Sequence, residues 1–333
     1  MAGPTLAATQ PSTTDPPPPT AAPSPAPPTN TPDPTPAPPA TPEALVTTSL
    51  EPAFTDQFAI TDANDVRLKS PGGIAVDSRD RLLVWDAGNS RLLRFDGDGA
   101  LLQIWDSAGS GDGEFNSMGF GGVAVDAEDN VFVVDNGNFR IQKFDSDGSY
   151  VTQWGSEGLN NGQFQRAIGI AVDQQGNVYV TDDGRPEVQV FDNDGTFLRK
   201  WGSLGGDEGQ FRHPTGIAVD SDGNVYVADY ENKRVQKFDR DGNFVLAWGT
   251  TADPNGIPEG LAIDKDGRLY VTDYEKGYVE VFSADGTFIA SWQGGDTGRF
   301  RRPVAVAVDS AGSVYVSNQG SNTVQKFAPP EWP

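Results

Sequence analysis

Residues 216–229 read GIAVDSDGNVYVAD, with carboxylates spaced closely enough to suggest oxygen ligands for a cation. A calcium loop of the EF type, however, needs liganding side chains at alternate positions and a closing Glu. Here a strand-like run resumes directly after D-x-D-G. In such a bend Gly supplies the positive-φ corner and Asp accepts backbone N–H bonds. The segment therefore reads as a tight turn, with a weak Ca2+ site at a ring of strand-end Asp residues as the alternative. No other cofactor is expected. A second constellation places Asn and Arg just beyond an Asp, as Asp86/Asn89/Arg91, Asp135/Asn138/Arg140 and Asp229/Asn232/Arg234. Donors that close to a carboxylate suit a hydrogen-bond and ion-pair network between units better than catalysis.

The chain has one His, His213 in GQFRHPTG, and no Cys. Disulfides, thiolate zinc sites and three-His zinc chemistry are thereby excluded. A Ser-His-Asp hydrolase would have to use His213, and no G-x-S-x-G elbow accompanies it.

The elements that must position these groups repeat. The opening segment recurs as GIAVDSRDRLLVWD, GVAVDAEDNVFVVD, GIAVDQQGNVYVTD, GLAIDKDGRLYVTD and VAVAVDSAGSVYVSN. Its first Asp falls at Asp77, Asp126, Asp173, Asp220, Asp264 and Asp309, in steps of 49, 47, 47, 44 and 45. A third run follows in each unit, then a fourth with an aromatic and a Trp four residues on, as in Phe197/Trp201 and Phe244/Trp248. Four β-type runs per unit at this period predict an all-β fold, a six-bladed β-propeller. The sixth unit lacks a fourth run, and AFTDQFAI at 53–60 matches NFVLAWGT at 243–250. The N-terminal strand is expected to complete the last blade and leave no open edge. Trp105, Trp154, Trp201, Trp248 and Trp292 hold one position in the repeat and are expected to pack.

With G-Q-F-x-x-x-x-G-I-A-V-D in units three and four and N-V-Y-V-A-D-Y-x-N-K-R-V-Q-K-F-D in unit four, the chain resembles the NHL-repeat family of six-bladed propellers. The resemblance covers residues 51–328. It implies the fold strongly and the function weakly, since propellers host unrelated activities. Related propellers include metal-dependent lactonases and an amidating lyase whose zinc is held by several His. Animal members of the RNA-binding type use a basic surface. The chain looks more like bacterial extracytoplasmic members, including sensor regions of some membrane Ser/Thr kinases.

Residues 1–50 read as a disordered Pro/Thr/Ala-rich linker and 51–333 as the propeller, since DPPPPTAAPSPAPPTNTPDPTPAPPATP has almost nothing to bury. No apolar run is long enough to span a bilayer. Any membrane or cell-wall tether is expected upstream of Met1, and the linker together with the family resemblance implies an extracytoplasmic location, secreted or at a bacterial cell surface. The net charge is −23, so a phosphate backbone is not expected as a partner.

A four-stranded meander sends its turns to opposite ends of the ring. The tight-turn face carries 20 acids against five bases, which leaves the loop-rich face near neutral or basic, with Arg166, Arg185, Arg212, Arg299, Arg301 and Arg302. Just before the first strands stand SPG, FGG, AIG, PTG, PEG and RPV, so Glu259 is the one carboxylate placed to look into the channel mouth. Trp85 breaks the repeat where other units have Val134, Thr181, Ala228, Thr272 and Ser317, and Phe139, Tyr230, Tyr274 and Tyr278 fall in second-to-third strand loops. Aromatics beside Arg suit capture of a protein segment or a glycan, or they simply cover the blade tops. The resulting expectation is a non-catalytic binding propeller using Trp85, Phe139, Arg166, Arg185, His213, Tyr230, Tyr274, Tyr278, Glu259 and Arg302. A metal-dependent lactonase or hydrolase with a channel-mouth site is the alternative.

Overall fold

The computed structural model describes residues 67–250, 255–295 and 298–330, together with Gly3, Trp332 and the backbone of the strand Phe54–Phe58. The chain divides into Met1–Val46 and Thr47–Pro333. The expected linker, Gly3 apart, lies outside the described residues.

Six antiparallel sheets of four strands follow one another in the second unit. Blade 1 opens with Pro71–Val76, and blade 3 shows the pattern in Ala167–Val172, Val178–Asp182, Glu187–Phe191 and Phe197–Trp201. First strands of successive blades touch, and that of blade 1 meets Pro303–Val308 of blade 6, so the ring closes. Blade 6 takes its outermost strand from the other end of the chain. Phe54–Phe58 pairs with Thr323–Phe327 in the register Phe54 to Phe327 and Phe58 to Val324.

Strand composition follows from position in the stack. Second strands such as VFVVD and VYVTD are buried at every residue because a neighbouring blade covers each face. Fourth strands such as YVTQW alternate half-buried with exposed positions, as the outer strand of a blade must. The repeated Trp closes the seam between blades. Trp154 stands edge-on to Phe132 of its own blade and 5.8 Å from Phe191 of the next. Trp201 bridges Tyr179 and Phe238 in the same way. Gly195, at φ 87, lies over Trp154, and a Cβ there would stand 2.5 Å from the indole.

At the axis the first strands meet backbone to backbone. Gly73 N–H donates to Gly121 O at 3.0 Å and Gly122 N–H to Ile168 O at 2.8 Å. A Cβ on Gly169 would lie 2.2 Å from Thr215 O, and one on Gly216 2.2 Å from Glu259 O. Hydroxyls at the inner ends of second strands tie blades together, Thr181 donating to Thr215 O at 2.7 Å and Ser317 to Gly72 O at 2.8 Å.

The acids of the tight-turn face are engaged by their own backbone. Asp173 Oδ1 accepts from Gln175 and Asn177 N–H at 2.9 and 2.8 Å, and Asp192 Oδ1 from Asp194 and Thr196 N–H. Donation from Thr196 holds the Asp192 carboxyl below the ordinary carboxylate range, and Asn243 does the same for Asp239. Asp80 and Asp129, left-handed where other units have Gly, accept from Ser310 and Ser78 of neighbouring blades. The Asp/Asn/Arg constellation clamps the links between blades. Asp229 Oδ2 accepts from Asn232 and Arg234, while Arg234 Nη2 donates to the link carbonyls of Asp207 and Gln210. Among the described residues no helix is long and apolar enough to cross a membrane.

Two outcomes follow for stability. Deleting residues 51–60 removes an entire ladder of blade 6 and is expected to lower Tm far more than deleting residues 1–43; equal melting temperatures would refute the closure. Gly216→Ala places a methyl against Glu259 O and is expected to cost several kcal/mol or abolish folding. Gly249→Ala, whose nearest neighbour would be 3.5 Å away, is expected to melt near wild type.

Candidate functional site

Three positions of the repeat build the loop-rich end of the channel. The residue seven before the turn Asp is Ser70, Gly119, Arg166, His213, Ile257 or Arg302. Five before it stands Gly72, Gly121, Ile168, Thr215, Glu259 or Val304. The residue closing the rim after each second strand is Ala87, Asn136, Asp183, Tyr230, Tyr274 or Gln319. Because the blade backbone is the same each time, these positions form stacked rings whose chemistry varies unit by unit.

Members of all three rings line one cavity of about 290 Å3, contributed by blades 2 to 5. Below it the axial channel, walled by glycines and aliphatic side chains, holds only about 80 Å3. Phe120 borders both spaces. It stands where most units have Pro, and the first strand of its blade is shortened to Val123–Val125. Its ring reaches across the mouth to Tyr274, centroids 6.4 Å apart and planes at 72°. Tyr274 meets Tyr230 at 6.0 Å, and Tyr230 meets His213 at 5.4 Å. An aromatic arc thus runs round the cavity.

Glu259 is 6% exposed, and among the described residues its carboxyl has no hydrogen bond or ion pair. Burial pushes it up to about 8, with Arg166 acting in the opposite direction. At neutral pH it is mostly a neutral acid, able to donate or accept a hydrogen bond. The Tyr230 hydroxyl, pushed up to about 12 by burial first and by Glu259 second, also lacks a described partner. Arg166 donates through Nη2 to His213 Nε2 at 2.9 Å and pairs with Asp183. With Nε2 accepting, the imidazole proton is assigned to Nδ1. That nitrogen lies 2.8 Å from Asp183 Oδ1, in contact but without hydrogen-bond geometry. Burial, then Arg166, holds the His213 pKa below its ordinary value, so the ring is neutral at neutral pH. Arg302, left-handed at φ 52, sets its guanidinium 5.9 Å from the Tyr274 ring centre.

Of the residues expected from sequence, Arg166, His213, Tyr230, Glu259 and Tyr274 converge on this cavity, with Arg302 at its edge. Trp85 is corrected. It is 0% exposed, edge-on to Phe115, and its indole lies against Gly121 and Gly72, whose missing side chains make room for it. It is a core residue filling the place of the inter-blade hydroxyl. Arg185 is turned to Glu187 at 2.6 Å and to the carbonyl of Asn160, away from the mouth. Tyr278 opens a third strand opposite Asp273, and Phe139 caps a short turn at φ 55; neither lines the cavity. Phe120, Asn136 and Asp183 were missed, although the registration that exposed Glu259 also exposes them. Among the described residues no group of three or more His, Asp or Glu could hold a metal ion.

The NHL repeat family matches residues 121–144, 164–191, 211–238, 255–282 and 300–327, five of the six blades. The chain is an NHL-repeat propeller. No curated protein matches it. Among solved structures, a streptogramin B lyase superposes with TM-score 0.57 at 15% identity, over 82% of this chain and 86% of the other. A catalytically inactive histidine-to-alanine virginiamycin B lyase from Staphylococcus aureus with quinupristin gives 0.57 at 14%, over 82% and 87%. A gluconolactonase from Xanthomonas campestris gives 0.60 at 19%, over 84% and 97%. These likenesses show the fold. They also correct the expectation that the chain is not an enzyme, because the similar propellers are a lyase and a lactonase, although at this identity they assign no reaction.

Glu259 supplies a stability test. Its folded pKa is about 8 against an ordinary 4.5, so its favourable contribution is fully present below about pH 4.5 and is lost as pH rises through about 8. Glu259→Gln carries no such liability. Its Tm advantage over wild type is expected to grow steadily between about pH 5 and about pH 9, and a constant difference would show that Glu259 ionises freely.

Proposed function

We propose that the propeller captures the end of a glycan in the mouth cavity, by stacking on the aromatic arc and hydrogen bonding to Glu259 and the Tyr230 hydroxyl. The observation that carries this is the buried Glu259 and the half-buried Tyr230, whose carboxyl and hydroxyl have no partner among the described residues, in a cavity edged by Phe120, Tyr230 and Tyr274. Unpaired buried groups cost stability unless something else satisfies them. The cavity is at the small end of ligand pockets, which favours one terminal unit over a broad protein surface. Display on an extracytoplasmic arm forms part of the proposal and is supported by the Pro/Thr/Ala composition of residues 1–43.

A second reading places acid–base chemistry on the same ligand. It is supported by Glu259, pushed up to about 8, lining the same cavity as a neutral His213 whose orientation is held by Arg166. That a streptogramin B lyase and a gluconolactonase share this fold supports the reading.

Glycan-array binding followed by calorimetry tests the site. Tyr230→Ala and Phe120→Ala are expected to weaken capture at least about tenfold, a loss of about 1.4 kcal/mol. Arg185→Ala and Tyr278→Ala are expected to leave it unchanged. The reverse pattern would move the site to the outer rim, and product formation during the titration would select the catalytic reading.

A further inference from the structure

We propose that the ligand's recognised group is a carboxylate, as in a glycan ending in a uronic acid, seated by the Glu259 carboxyl as hydrogen-bond donor with Arg302 and Arg166 at the rim. This rests on the reading of the mouth cavity as a ligand site.

Glu259 stands out for what it lacks. It is buried, and among the described residues no base pairs with it. The one charge acting on it appreciably is Arg166, already engaged by Asp183 and His213. A carboxyl so placed keeps its proton, in keeping with its raised pKa, and its O–H then needs an acceptor. No described residue bonds to it within the cavity, so a ligand entering there meets a free donor.

Charged neighbours decide what kind of acceptor. Arg302 has no ion pair among the described residues, and it leans over Tyr274 beside the cavity. Arg166 borders the cavity itself. On the other side of the balance stand Asp183, taken up by Arg166, and Glu231 and Glu275, both exposed. His213 is neutral, and Tyr230 and Tyr274 keep their protons. An ammonium group would meet the unpaired Arg302 guanidinium and would require Glu259 to ionise. A carboxylate meets a neutral donor and that cation, with Arg166 already balanced by Asp183. The acid–carboxylate hydrogen bond is of the strong, charge-assisted kind, while the rings of Tyr230, Tyr274 and Phe120 offer faces and edges to a sugar ring.

Calorimetric titration with glucuronate, glucose and glucosamine separates the outcomes. Glucuronate is expected to bind tightest, with proton uptake at basic pH, and to weaken about tenfold between about pH 7 and about pH 9 as Glu259 ionises. Glu259→Gln keeps an N–H donor and is expected to bind glucuronate at neutral pH but to lose that pH dependence. Arg302→Ala is expected to weaken glucuronate and leave glucose unchanged. Glucosamine binding tightest, with proton release, would overturn the carboxylate assignment and leave the cavity standing as a site. A short peptide bound through its C-terminal carboxylate more tightly than glucuronate would overturn the glycan assignment. Absence of binding by every probe would overturn both this inference and the reading it rests on.

Discussion

Everything in this molecule depends on how closely the innermost strands approach the axis. Gly169 and Gly216 leave no room for even a methyl group against the carbonyls of Thr215 and Glu259. Where Gly73 and Gly122 meet the next blade they add a backbone hydrogen bond. Five of the six blades carry Gly at this position and the sixth the small Ala305, which lets the blades crowd so narrow an axis. The channel that results holds only about 80 Å3. A ligand site of useful size must therefore open above the neck, at the loop-rich mouth.

The two ends of the ring differ because their loops carry different obligations. On the tight-turn face each turn is short and returns at once to a strand. Its Asp is needed to satisfy the backbone of the bend, as Asp173 and Asp192 do. On the opposite face the strand-end Asp and its Arg fasten the long links, as at Asp229 and Arg234. With the links held by those groups, the residues just inside them are free to vary. Tyr230, Tyr274, Arg166, His213 and Glu259 occupy those positions. The scaffold is repetitive, and the site is made from the positions the scaffold does not need.

Phe120 shows how a single departure shapes the mouth. Phe120 stands between Gly119 and Gly121 where most units have Pro, in the blade whose first strand is only Val123–Val125, and its ring reaches across to Tyr274 of blade 5. Trp85 is a departure of the opposite kind. It too interrupts the repeat, but Gly72 and Gly121 are hollowed out around it, so the change is absorbed in the core. Both look alike as anomalies of sequence, and only their neighbours tell them apart.

The sequence by itself determined the blades, their number, the strand that closes the ring, the turn chemistry of the acidic face and the position of Glu259. Each of these follows from short-range pattern repeated in register, and repetition makes local signals reinforce one another. It could not determine which variable residues meet. Arg166, His213, Tyr230, Glu259 and Tyr274 come from three different blades, and Phe120 reaches them from a fourth. Nor could it determine that Glu259 would be left buried without a partner, because burial and pairing depend on what other blades bring across the axis. That property belongs to the closed ring, in which residues more than a hundred positions apart stand within one cavity's width.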